Sequence, residues 1–88
     1  MKIVFSKIFQ KTYQKANKKI KNQFADRLGL FMADEQHPLL RNHSLKGSYA
    51  GTRSISITGD FRAHYEVLAD GTRYFTVLGT HSELYEKH

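Results

Sequence analysis

Three kinds of side chain in this sequence can do chemistry together without a cofactor: imidazole, guanidinium and phenol. They gather in one run from His43 to Tyr85, HSLKGSYAGTRSISITGDFRAHYEVLADGTRYFTVLGTHSELY. His43 opens the run, Asp60, Arg62 and His64 sit in its middle, and His81 and Tyr85 close it. Such a set suits RNA cleavage without a metal. A base takes the proton of a 2′-hydroxyl, which attacks the adjacent phosphorus, and an acid protonates the departing 5′-oxygen. Histidine, with an ordinary pKa of about 6.5, fills either role near neutral pH, and each role is worth roughly 10²–10⁴-fold. Arginine is always charged and offers a planar fork to the phosphoryl oxygens. Tyrosine stacks on a base or donates to a phosphate.

Each residue also has a plainer explanation. His37 and His88 read as solvated surface residues, and His64 as a cross-strand packing residue. Arg62 can pair with Glu66 on the same strand face, Asp60 can serve only as a turn former, and Tyr85 can plug the core near the terminus. The combination says more than any member. No glycine-rich phosphate loop, nucleophile elbow or HEXXH motif is present. His37 and His43 are six residues apart and His81 is distant, without a carboxylate motif nearby, so neither metal nor cofactor is expected.

Composition sets the background. Fourteen Lys and Arg against eight Asp and Glu give a net charge of +6 among 88 residues, with a pI near 9.7. That balance favours a polyanionic partner, nucleic acid or an acidic protein. There is no cysteine, which removes disulfides and thiolate metal sites. No apolar run approaches the ~20 residues of a membrane span, and the N-terminal residues lack a signal-peptide pattern, so a cytosolic protein making no membrane contact is expected. The length fits one domain, 1–88, with no internal repeats or linkers.

The elements that must position these residues follow from periodicity. Residues 2–5 form a short β-prone run, and Ser6 is a helix cap. Ile8, Phe9, Thr12, Tyr13 and Ala16 recur at helical spacing, Asn17 marks a turn, and Ile20, Phe24, Leu28, Phe31 and Met32 form a second helical stripe. Lys15, Lys18, Lys19 and Lys21 give this hairpin a basic outer face. The second helix ends between Ala33 and Gln36, ahead of the only proline, Pro38. Ser54 to Thr58 then alternates, with Ile55 and Ile57 on one side. Gly59-Asp60 and Asp70-Gly71 are hairpin turns. They separate that strand from a second, Phe61 to Val67, and a third, Arg73 to Leu78, which places Phe75 and Val77 toward the helices. The expected fold is α+β. An N-terminal strand and a two-helix hairpin pack on one face of a mostly antiparallel four-stranded sheet. The other face, with Ser54, Ser56, Thr58, Arg62 and His64, is expected to be open, polar and basic.

These residues resemble a known family. GDFRAHYEV, a glycine turn, then an apolar strand ending in GTHSELY, is similar to the RelE/ParE toxin superfamily of bacterial toxin–antitoxin systems, and within it to the YafQ-like mRNA interferases. His43-Ser44-Leu45-Lys46-Gly47, Arg53 and Asp60-Phe61 carry further parts of the likeness. The resemblance implies the RelE-like, microbial-ribonuclease-like version of the fold. It implies a ribosome-dependent endoribonuclease, a toxin that enters the A site of the bacterial 70S ribosome, cuts mRNA and inhibits translation. It also implies a cognate antitoxin that neutralises it in the cytoplasm. Carried over, His43 and His81 match the proton-transfer histidines, with acid and base interchangeable. Asp60 matches an acidic residue of the site, Tyr85 the closing aromatic, and Arg62 the phosphate-stabilising arginine. Lys46, Arg53, Ser56, Phe61 and His64 are expected to line the RNA. One departure stands out: the YafQ branch has a further histidine where this chain has Ser56, which implies reduced activity. Two other outcomes share the scaffold, a ParE-like gyrase inhibitor that acts by binding and an inactive relative kept for its antitoxin.

Overall fold

Ser6 and Asn17 set the two helices. In the computed structural model, which describes residues 1–85, the Phe9 amide donates to Ser6 Oγ at 2.9 Å, starting α1 (Lys7–Lys15). The Ile20 amide donates to Asn17 Oδ1 at 2.9 Å, starting α2 (Lys18–Ala33). Each cap satisfies an amide that a helix start otherwise leaves without a partner. Ser6 also donates to the Thr76 carbonyl at 2.7 Å, which fixes α1 to the sheet. The expectation for His88 lies outside the described residues.

The sheet has five strands: β1 (Ile3–Phe5), β2 (His43–Ser44), β3 (Arg53–Ser56), β4 (Phe61–Val67) and β5 (Arg73–Thr80), in the order β1-β5-β4-β3-β2. β1 runs parallel to β5 and the other pairings are antiparallel. The strand beyond the four expected is the two-residue β2, which lifts His43 out of a loop and onto the sheet edge. A short helix, α3 (His81–Tyr85), follows β5 directly.

Phe9, Phe24, Phe31, Leu40, Ile55, Ile57, Ala63, Tyr65, Phe75 and Leu78 form the core between helices and sheet. The aromatic stripe of α2 is therefore interior: the Phe31 ring meets Tyr65 edge-on, centroids 5.0 Å apart. Ile8 and Met32 fall outside it, at 64% and 58% exposed. The strand alternation holds on β3 and β4 but breaks on β5. A bulge shifts the register between His64 and Tyr65, so that Tyr65 faces Phe75 while His64 faces Val77. The extra residue, Thr76, turns Val77 away from the helices and brings Leu78 into the core beside Ala63. Val77 is thus on the opposite face from the one its spacing to Phe75 suggests.

Candidate active site

One row of residues crosses the sheet on the face away from the helices. His43 pairs with Ser54, Ser54 with His64, and His64 with Val77. Directly paired residues share a face, so His43 and His64 are two strand spacings apart, about 10 Å. Ser56 and Arg62 form the next cross-strand pair on the same face, and Arg62 Nη1 donates to Ser56 Oγ at 3.0 Å. The residue that departs from the family pattern therefore holds the candidate phosphate-binding arginine, which takes Ser56 rather than Glu66 as its partner.

His43 is exposed on β2. Its Nδ1 lies 2.8 Å from the Arg41 carbonyl. A carbonyl only accepts, so Nδ1 carries the proton and Nε2 keeps the lone pair when the ring is neutral. Arg41 holds a left-handed backbone, φ 47°, which turns its carbonyl back toward this ring.

His81 and Tyr85 reach the same face from α3. The Asp60 carbonyl accepts from the His81 amide at 3.1 Å, tying the start of α3 to the β3–β4 turn. Asp60 itself is exposed, and it contributes this link through its backbone. The His81 and Tyr85 ring centroids are 4.4 Å apart, and the Tyr85 hydroxyl lies 3.1 Å from His64 Nε2.

The face is not open. His64 is 1% exposed and Ser54 is fully buried. Tyr85 covers His64 with ring centroids 5.4 Å apart, and Tyr49 covers it at 6.2 Å. Burial pushes the His64 pKa down to about 4, and the nearby positive charges of His43, Arg62 and His81 push it the same way. His64 is a neutral, sealed imidazole at physiological pH, which corrects its expected place among the RNA-contacting residues. β2, β4 and α3 meet around it: His43 and His64 flank Ser54 in one row, Arg62 is two residues from His64 along β4, and Tyr85 touches both His64 and His81.

Two further expected site residues lie elsewhere. Arg53 faces the helix side: its Nε donates to Asn42 Oδ1 at 2.8 Å and its Nη1 to Ser44 Oγ at 2.9 Å. Asn42 Nδ2 in turn donates to the Tyr65 hydroxyl at 2.7 Å, and Glu35 accepts from Arg73 at 2.7 Å and from Tyr65 at 3.4 Å. Arg53 thus belongs to a polar network that joins the turn after α2, through Glu35, to four strands, not to an RNA surface. Phe61 packs against the core on that same side, because it alternates with Arg62 along β4. Lys46 is exposed two residues after β2, at the start of the Gly47–Tyr49 turn.

Sequence reasoning missed Tyr49, which sits in a tight turn, Gly47–Tyr49, with no periodicity to reveal it. It also missed the cap of α3, although Thr80-His81-Ser82-Glu83 has the T-x-x-E pattern of a capping box. Apolar space lies on the helix side: a cavity of about 440 Å³ is lined by Phe5, Phe9, Tyr13, Phe24 and Leu28 among others. Among the described residues no cluster of three or more His, Asp or Glu is arranged to hold a metal ion, and no helix is long and apolar enough to cross a membrane.

A helical hairpin over a five-stranded sheet, with a histidine-bearing face and a short closing helix, is the architecture of several solved bacterial toxins. The structure of YafQ from E. coli strain BL21(DE3) superimposes with a TM-score of 0.78, at 24% identity over 94% of this chain and 96% of that one. A YoeB/ParE toxin from Agrobacterium tumefaciens gives 0.76 at 22% identity, covering 92% and 99%. The E. coli DinJ–YafQ toxin–antitoxin complex gives 0.71 at 26% identity, covering 94% of each chain. No curated protein matches by sequence. Residues 1–86 match the family described as bacterial toxin of type II toxin–antitoxin system, YafQ, and the chain belongs to that family.

Proposed function

We propose that this toxin is an mRNA interferase: a metal-independent endoribonuclease that cuts mRNA in the A site of the bacterial ribosome and so stops translation. The observation that carries the reading is the convergence on His64. An exposed imidazole with a fixed tautomer (His43), a guanidinium (Arg62) and a second exposed imidazole (His81) come from three different elements and surround one buried ring: His43 through the His43–Ser54–His64 row, Arg62 beside Ser56 in the next row, and His81 through Tyr85.

His43 Nε2 takes the 2′-hydroxyl proton, since its Nδ1 is engaged by the Arg41 carbonyl. The freed 2′-oxygen attacks phosphorus, forming the 2′,3′-cyclic phosphate. His81 gives a proton to the 5′-oxygen as the P–O5′ bond breaks. Arg62, steered by Ser56, offsets the charge growing on the phosphoryl oxygens. Tyr85 orients the His81 ring by packing on it. Lys46 supplies charge to the RNA backbone, and Asp60 fixes the start of α3 through its carbonyl. No step calls for a cofactor. A cognate antitoxin, of the kind seen in the DinJ–YafQ complex, neutralises the toxin in the cytoplasm.

The test is to induce the protein in bacteria and map mRNA ends on translating ribosomes. New 5′ ends at A-site codons, lost with His81→Ala, are expected. Growth arrest with intact transcripts and gyrase-linked DNA breaks would replace this reading with gyrase inhibition. Absence of toxicity, with tight antitoxin binding, would mark an inactive relative.

A further inference from the structure

Helix α3 is five residues long, far below the length at which a helix holds itself in water. Its N-terminal end is held by a reciprocal cap: the Thr80 amide donates to Glu83 Oε1 at 2.8 Å, and the Glu83 amide donates to Thr80 Oγ1 at 3.1 Å. Gly79 lets the helix fold back on β5, because a Cβ there would lie 3.0 Å from Glu83 Oε1 and 3.2 Å from Leu84 Cδ2.

The other end is held from a distance. The Tyr49 hydroxyl, 35 positions away in sequence, donates to the Leu84 carbonyl at 3.0 Å. The Tyr85 ring then packs against Tyr49 at 5.8 Å and against His64 at 5.4 Å, and its hydroxyl shares a hydrogen bond with His64 Nε2. Tyr49 and His64 also meet edge-on at 6.2 Å. Three rings from a turn, a strand and a helix close a triangle, and His81 stacks on its Tyr85 corner at 4.4 Å.

Neither Tyr49 nor His64 has a proton-transfer role in the reaction above. His64 is sealed, and the Tyr49 hydroxyl is engaged by a backbone carbonyl. We propose that Tyr49 and His64 are positioning residues: they latch α3 between the Gly47–Tyr49 turn and β4, and so fix how the His81 imidazole is presented over the sheet. The consequence for cleavage rests on the nuclease reading. The latch does not, because it is a statement about where one ring points.

Three variants of the full chain test it: Tyr49→Phe, which keeps the ring and removes the donor, His64→Leu, which keeps the bulk and removes the polar partner of Tyr85, and His64→Gln. Amide exchange across residues 83–85 is expected to rise about five- to tenfold in Tyr49→Phe, the factor for one lost hydrogen bond. The His81 ring resonances should move in Tyr49→Phe and His64→Leu, while those of core Phe31 stay in place. His64→Gln should return the His81 resonances partway toward wild type. On ribosome-bound mRNA, the first two variants should lower kcat by about ten- to a hundredfold with KM unchanged, as misplacing a reacting group does. The proposal is overturned if Tyr49→Phe leaves both exchange and His81 resonances as in wild type. It is equally overturned if His64→Leu lowers only the unfolding temperature. Should wild-type protein cut no mRNA while the His81 resonances still follow the variants, the latch stands and the nuclease reading falls.

Discussion

Acid should destabilise this protein through one ring. His64 is 1% exposed, and its pKa is lowered to about 4, first by burial and then by His43, Arg62 and His81. In the unfolded chain the same imidazole titrates near its ordinary value of 6.5. Between those limits the unfolded state binds a proton that the folded state refuses. Stability is therefore complete above about pH 6.5, falls as pH drops, and levels off near pH 4. The slope in that window is about 1.4 kcal/mol per pH unit, and the full loss from this group is about 3 kcal/mol. That is a large part of the 5–15 kcal/mol that holds a typical small domain. Asp70, whose carboxyl is held below its usual range by the Thr72 backbone amide, adds acid sensitivity only at lower pH. Urea unfolding at pH 7.5, 6.0, 5.0 and 4.2 measures the slope. In His64→Gln, which does not titrate, the dependence between pH 6.5 and 4 should largely vanish. Equal slopes in the two proteins, or a flat wild-type profile, would show that His64 is not buried as a neutral ring.

Other expectations are simpler. Arg62→Ala should lower mRNA cleavage by about 10²–10³-fold while the unfolding midpoint moves less, because it removes charge stabilisation from a half-buried side chain outside the core; cleavage rate and urea midpoint, measured on one preparation, check both halves. Glu35→Gln should cost about 1 kcal/mol in urea unfolding, as it weakens the 2.7 Å Arg73 contact of a partly buried network. Gly79→Ala should push the Glu83 carboxylate and the Leu84 side chain by a few tenths of an ångström and so loosen the cap of α3, and cleavage should fall more than stability does. Similar losses in both would place Gly79 with the core rather than the site.

Much of the fold was legible because it follows from local chemistry. Ser6 caps α1 as its type and place suggest, Asn17, read as a turn, also caps α2, and the Phe24 and Phe31 stripe is interior because helical spacing puts both on one side. The strands of the meander follow from alternation and turn residues. What escaped the sequence was non-local. The bulge at Thr76 depends on how β5 meets β4, and it turned Val77 over. The two-residue β2 has no periodic signature, yet it decides that His43 stands on the sheet edge beside Ser54. Alternation placed His64 on the correct face, but nothing in it revealed that Tyr49 and Tyr85 would cover that face. Arg53 shows the opposite limit. The family resemblance suggested an RNA contact, whereas its parity along β3, one residue from Ser54, assigns it to Asn42 and Ser44 on the far side.

The central claim is that His43 and His81 act as a proton-transfer pair on an RNA phosphodiester. Single-turnover cleavage of mRNA on purified 70S ribosomes, with wild type, His43→Ala and His81→Ala, addresses it most directly. Wild type should cut within the A-site codon, and each substitution should slow the cut by about 10²–10⁴-fold while ribosome binding persists. Uncut mRNA with wild type, or cutting by both variants at the wild-type rate, would contradict it.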